Sequence, residues 1–205
     1  MDDNRSELIL CPLFHKSCNY AIICIMKICL ISSRFYLQLV GNGTSVFVIA
    51  SELAQRKHDI TVLVDGSMRG EESHASLPFS ICYVDDLEDF ALGKSGFRKP
   101  LEVIYEFVMQ LQPDILHVCN FMPMFLVSII RPMINCPVVF TFFNTPIIGQ
   151  RTVGYFIDPT LDSGLGSFVV KTDAYDSLVL GSQHYVDSAL ALGADSKKMH
   201  IVSCA

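Results

Sequence analysis

Beyond Met26 the chain alternates short, almost continuously apolar runs with stretches of helical period. Lys27–Ser32 (KICLIS) reads as a buried first strand bounded by polar residues. In Thr44–Arg56, Val46, Ile49, Ala50 and Leu53 fall at i, i+3, i+4 and i+7, which predicts an amphipathic helix N-capped by Thr44 or Ser45. Asp59–Val64 and Phe79–Val84 read as the second and third strands, with aperiodic polar residues 66–77 between them. A polar connection, Asp85–Lys99, leads to a helix opened by Pro100, where a missing N–H costs little. That helix carries Leu101, Ile104, Tyr105 and Val108 on one face and stops before Pro113. Ile115–Val118 predicts a fourth strand, Met124–Ile130 a short helix between Pro123 and Pro132, and Val138–Phe142 a fifth strand. Residues 144–166, rich in Pro and Gly, read as irregular. Phe168–Tyr175 predicts a helix, Ser177–Leu180 a sixth strand and His200–Val202 a seventh. Between the last two lies a helix, Gln183–Leu192, with Ser182 to cap it and Gly193 to end it.

Apolar strands separated by helices predict an α/β fold: a Rossmann-like parallel sheet with helices on both faces. Such sheets place their sites at the carboxyl ends of the strands. That rule selects Gly41, Asn42, Gly43 and Thr44 after strand one, His117 and Asn120 around the end of strand four, Asn144 after strand five and Ser182 after strand six. Glycines let backbone approach a ligand, and a helix N-terminus offers free N–H groups and a positive dipole end, so a phosphate or diphosphate is the natural guest. A dinucleotide fingerprint fits poorly. The loop reads G-N-G-T-S-V, with Val46 where the third glycine would stand, and Asp65 is the acid available to a ribose. No G-x-x-x-x-G-K-[ST] is present.

Composition narrows the picture. The length of 205 residues suits one domain, or one with a short appendage, and a net charge of −6 argues against nucleic acid as a partner. With 51% hydrophobic and 18% charged residues the chain can supply a sizeable core. None of the eight cysteines forms a C-x-x-C pair, and most sit in apolar runs. They read as reduced thiols in a cytosolic setting, and no metal site is expected; His117 and Cys119, sharing one side of a strand, are the nearest approach to one. Residues 1–25 hold two apolar patches, Leu8–Phe14 and Tyr20–Met26, too short to span a membrane. Asp2, Asp3 and Glu7 do not suit a signal peptide. Residues 1–25 are expected to be an extension outside the fold of 26–205, with membrane contact at most peripheral.

Several runs resemble one family in order. Lys57 apart, Arg56-Lys57-His58-Asp59-Ile60-Thr61-Val62 is similar to the "(R/K)-G-H-x-(V/I)-T-V" of family 4 glycosyltransferases of the GT-B fold. Gln112–Val118 resembles that family's "kPDiiHvH", Cys136–Thr141 its "c/iPvv-T-H", Asp176–Ser182 its "aD-vi-a-S" and Lys198–Val202 its "ki-vi". The resemblance spans about residues 26–202. It implies a single GT-B N-terminal domain, the acceptor-binding half of a retaining enzyme that moves sugar from a nucleotide-sugar to a sugar or lipid-linked acceptor. No cofactor is implied; the nucleotide-sugar is substrate. Gly41, Asn42 and Gly43 match the loop that closes over the donor's phosphates, and His117, Asn120, Asn144 and Ser182 match strand-end positions.

Two departures stand out. Cys119 replaces the second His of "H-x-H", and Phe143 replaces the His after strand five, where Phe can neither donate nor accept a hydrogen bond. No catalytic residue is assigned. The chain stops at Ala205, where the family runs on to "I-P-N-G-V-D" and a donor domain with an E-x7-E motif. Activity alone is therefore not expected, and a separate donor-domain chain is a partner to look for. Two other readings stay open: a catalytically dead binding or regulatory module, and a Rossmann-type nucleotide-binding protein or NAD(P) oxidoreductase.

Overall fold

The computed structural model describes residues 24–33, 35, 42–69, 76–87, 95–142, 167–172 and 174–202. Its strands are β1 (Lys27–Ser32), β2 (Asp59–Asp65), β3 (Ser80–Val84), β4 (Ile115–Cys119), β5 (Val138–Phe142), β6 (Ser177–Leu180) and β7 (Met199–Ile201). The helices are α1 (Asn42–Gln55), α2 (Arg98–Leu111), α3 (Phe121–Ile130) and α4 (Gln183–Ala191), and residues 167–171 are also helical. All seven strands are parallel in one sheet, ordered β3-β2-β1-β4-β5-β6-β7. The chain winds outward from β1 to β3, then crosses back to β4 and winds the other way. The order therefore reverses between β1 and β4.

Strand alternation sorts the apolar side chains onto two faces. On one, Ile28 and Leu30 of β1, Ile60, Val62 and Val64 of β2 and Cys119 pack under Val46 and Ala50 of α1, with Phe35, Phe47 and Phe79 in mutual ring contact. On the other, Cys29, Ile31, Leu63, Leu116, Val118, Phe140 and Leu178 meet α2, α3 and α4. Phe140 is fully buried there, its ring 5.4 Å from Phe121 and 6.0 Å from Tyr175.

The amino edge of the sheet is closed by one device used three times. The residue just before a strand accepts an N–H at or immediately before the start of a neighbouring strand. His58 Nδ1 accepts from Met26 N at 3.2 Å, Asp114 Oδ2 from Lys27 N at 2.7 Å, and Asp176 Oδ2 from Val138 N at 2.7 Å. Asp176 also takes Arg131 Nη2 at 3.0 Å. The ends of parallel strands leave unpaired donors, and an ionised acceptor there forms the stronger kind of hydrogen bond.

Element bounds differ from expectation mainly at helix starts. α1 begins two residues early, so Thr44 and Ser45 lie inside it rather than capping it. α3 begins at Phe121 and takes Pro123 into its first turn, and α2 begins at Arg98 rather than Pro100. The helix expected over Phe168–Tyr175 ends at 171. Gly193 does end α4, at φ +94°, a conformation in which a side chain would also crowd Lys171. Lys57, standing where the resembling motif has glycine, adopts φ 69° after α1. The motif's glycine thus corresponds to a left-handed helix end. The expected extension 1–25 lies outside the described residues except for Cys24 and Ile25.

Candidate functional site

The strand order reverses between β1 and β4, the point at whose carboxyl edge open α/β sheets form their ligand crevice, and polar residues gather there. Ser32, Asp65 and Thr141 are three of the four buried polar or charged residues among those described, and all three lie toward the carboxyl ends of their strands. A buried polar group needs a partner, so each marks a local network.

The first network joins β4 to β5. His117 faces the α1 side of the sheet, in register with Leu30 and Val139, and its Nε2 lies 2.5 Å from Thr141 Oγ1. Burial pushes its pKa down to about 4, so the imidazole is neutral at neutral pH. It serves as a hydrogen-bonding group, not as a cation for a phosphate.

The second network bridges the crevice. Asn120 follows β4, and its Nδ2 donates to Ser32 Oγ at 3.2 Å and Ser33 Oγ at 3.4 Å, both at the end of β1. Its backbone N–H reaches Thr141 O at 3.4 Å, and its carbonyl accepts Met124 N at 3.3 Å. Asn120 is also the N-cap of α3, yet its side chain makes no capping bond. The local reason is visible in the chain. The third residue of α3 is Pro123, which removes one of the two N–H groups that an N-cap side chain can take, and the Asn120 carboxamide is engaged with Ser32 and Ser33. Asn120 further sits at φ 94°, ψ 154°, close to a region that is essentially glycine's alone and costs a side-chain-bearing residue about 1–3 kcal/mol.

Two helix starts face this crevice. α1 begins at Asn42, Gly43 and Thr44 after β1, and α3 begins at Phe121 after β4; neither has an acidic residue in its first turn. The positive dipole end of a helix start favours an anion. The carboxylates at this edge on β2 and beyond β3 are committed elsewhere. Asp65 Oδ1 accepts Ser67 N at 2.8 Å, Asp85 pairs with Arg69 and Asp86 with Lys99. Asp65 is 4% exposed and holds its own turn, a poor arrangement for a ribose.

Of the expected site residues, His117 lies on β4 and Asn120 just after it, tied to the end of β1, while Asn42, Gly43 and Thr44 form the first turn of α1. Gly41 and Asn144 lie outside the described residues, as do Phe143 and Arg151. Ser182 stands at the same edge but follows β6, two strands from β4, or roughly 10 Å along the sheet. It is the N-cap of α4 in position, but without the expected side-chain capping bond. Ser32, Ser33 and Thr141 were not among the expected residues. Their signal is a hydroxyl at or near the carboxyl end of an apolar strand, where a core position has no use for one.

Cys24, Cys29, Cys82, Cys119 and Cys136 are free thiols, and burial pushes those of Cys29 and Cys119 far up. Among the described residues no group of three or more His, Cys, Asp or Glu could hold a metal ion. No helix among them is long and apolar enough to cross a membrane.

A seven-stranded parallel sheet whose order reverses between β1 and β4 defines a Rossmann-like α/β domain. The model of Glycosyltransferase Family 4 matches residues 41–205, and the chain belongs to that family. Solved structures agree on the fold. Anabaena Alr3699/HepE in complex with UDP-glucose superposes with a TM-score of 0.61 at 11% identity, over 87% of this chain and 43% of that one. Sucrose-phosphate synthase from Thermosynechococcus elongatus gives 0.64 at 11%, over 86% and 47%. A glycosyltransferase from Rickettsia africae gives 0.56 at 16%, over 87% and 43%. This chain therefore spans less than half the length of these proteins. Among curated proteins, none matches the sequence.

Proposed function

We propose that these residues form the acceptor-binding half of a retaining glycosyltransferase that moves a sugar from a nucleotide-sugar to a sugar or lipid-linked acceptor. The observation that carries this reading is the β1–β4 crevice. It combines two helix starts free of acidic residues, a cross-crevice carboxamide and a neutral imidazole. Hydroxyl and amide groups suit the many hydroxyls of a sugar. The helix starts suit the diphosphate, whose negative charge grows as it leaves. The solved neighbour with UDP-glucose bound lends support at the level of fold.

In this half the protein's task is orientation. His117, neutral and held by Thr141, offers one ring nitrogen to a fixed partner and so keeps its ring plane set. The first turn of α1 presents backbone N–H groups without a side chain at Gly43, which lets a phosphate approach. Donor binding and turnover are assigned to a second body carrying the acidic pair that the family resemblance implies.

Calorimetry with UDP-glucose, GDP-mannose and ADP-glucose, run beside NAD, tests the reading. The expected result is weak or no binding of each by this chain, and gain of tight nucleotide-sugar binding when a donor-domain chain is added. Micromolar binding of NAD, or turnover of a nucleotide-sugar by this chain alone, would overturn it.

A further inference from the structure

We infer that Arg69 and Asp85 form a subsite for a neutral, polyhydroxylated ring, with Tyr83 and Gly66 holding the pair in place. That this ring is the acceptor sugar rests on the proposed function; the binding itself rests on the geometry of the pair.

The subsite lies at the carboxyl edge, beyond β2 and β3. After β2 the chain makes one tight turn, Gly66–Met68, in which Asp65 Oδ1 accepts Ser67 N and Arg69 N donates to Gly66 O at 3.2 Å. The turn delivers Arg69 to Asp85, the first residue after β3, and Arg69 Nη1 lies 2.7 Å from Asp85 Oδ1. The guanidinium also lies over the Tyr83 ring, 5.3 Å from its centroid. Gly66 permits the close fit, because a Cβ there would collide with Asp85 Oδ1. Turn, carboxylate and ring together fix the plane of the guanidinium. Tyr83 is in register with Val64 and packs on the α1 side of the sheet, the side on which His117 lies. Its strand is three strand spacings, roughly 14 Å, from β4.

The pair is held but not covered. The Arg69 and Asp85 side chains are 54% and 45% exposed. Beyond each other, neither side chain has a further hydrogen-bond partner among the described residues. A guanidinium has five N–H donors and a carboxylate about four acceptor positions, so fixed donors stand beside fixed acceptors. Charge then decides the class of ligand. Asp86 and Lys99 form a neighbouring pair at 2.8 Å, and the four groups sum to zero. A phosphate gains no net attraction from them. A ring with adjacent hydroxyls gains on both sides: one hydroxyl accepts from Arg69, the next donates to Asp85, and both bonds are of the stronger, charge-assisted kind.

NMR titration of the full chain tests this by following the Arg69 Nε–Hε signal and the Asp85 amide. The probes are methyl α-glucoside, methyl α-mannoside, myo-inositol and inorganic phosphate. Saturable shifts at millimolar affinity are expected with at least one of the three polyols, and none with phosphate. Arg69→Lys keeps a charge opposite Asp85 but loses the planar fork. It is expected to weaken polyol binding about tenfold or more, while the thermal midpoint stays within about 2 °C, as suits an exposed ion pair. Asp85→Asn, which keeps the shape of the side chain, is expected to do the same and serves where Arg69→Lys folds poorly. No saturable shift with any of the three polyols would overturn the subsite, as would saturation by phosphate alone or undiminished polyol binding in the variants. Sugar transfer with a donor domain supplied is measured separately. Polyol binding at Arg69 without transfer overturns the proposed function and leaves the subsite standing; transfer without a shift at Arg69 overturns the subsite alone.

Discussion

The two edges of one sheet are built on opposite terms. At the amino edge, His58, Asp114 and Asp176 each accept an N–H at or just before the start of a neighbouring strand, and a charge pair with Arg131 adds to one of them. At the carboxyl edge, an asparagine forgoes its cap, hydroxyls are buried at strand ends, and two helix starts lack acidic residues. The difference also bears on the family resemblance. His58, Asp114 and Asp176 belong to the recognisable motifs and are amino-edge clamps, whereas Thr141, with its partner His117, and Ser182 belong to the same motifs and lie toward the carboxyl edge.

The largest expected effect separates the edges directly. Asp114→Ala combined with Asp176→Ala should lower stability by about 2–4 kcal/mol in urea titration. Each removes a bond to a charged but partly exposed group, and they share no partner. Ligand affinity at the crevice should not change; a parallel loss of UDP or acceptor binding would dissolve the distinction. Next comes acidity. His117 titrates near 4 when folded and near its ordinary 6.5 when unfolded, so as pH falls the unfolded chain takes the proton first. The stability due to neutral His117 is full above about 6.5 and is lost as pH falls toward about 4, by about 1–3 kcal/mol. His117→Gln should flatten the stability–pH curve in that window, and an unchanged curve would mean another group is responsible.

A smaller effect of opposite sign is expected at Lys57. Relief of its φ of 69° in Lys57→Gly should stabilise by about 0.5–1 kcal/mol, net of the greater freedom of glycine in the unfolded chain. The smallest is removal of residues 2–23. Met26 and Lys27 are already held by His58 and Asp114, so the thermal midpoint should stay within about 2 °C. A collapse of the transition would make that segment part of the fold.

Much of this was legible in the chain. All seven strands were, because a parallel sheet covered on both faces demands unbroken apolar runs such as Ile28–Ile31 and Ile60–Val64. His117 and Asn120 were reachable as residues of the fourth strand and its carboxyl end, and the strand order puts them beside the end of β1. What escaped depends on pairing and dihedral angles. Nothing local to Asn120 announces a positive φ, and its bonds to Ser32 and Ser33 exist only after β1 and β4 are neighbours. Helix starts were missed for a related reason. Gly43 and Pro123 look like breakers, but a first turn tolerates both because its N–H groups are unpaired in any case.

The central strand has a consequence for how the chain is made. β1 emerges first, yet the partner on one of its flanks, β4, lies 87 residues further on. At about 5–20 residues per second, ribosomal synthesis leaves that flank uncovered for roughly 4–17 s. Until then a fully apolar strand, Ile28-Cys29-Leu30-Ile31, has an open hydrogen-bonding edge next to β2. The sheet's middle stays open until β4 is made, and chaperone contact with the nascent chain is expected to centre on β1 and to end when Asp114 reaches Lys27.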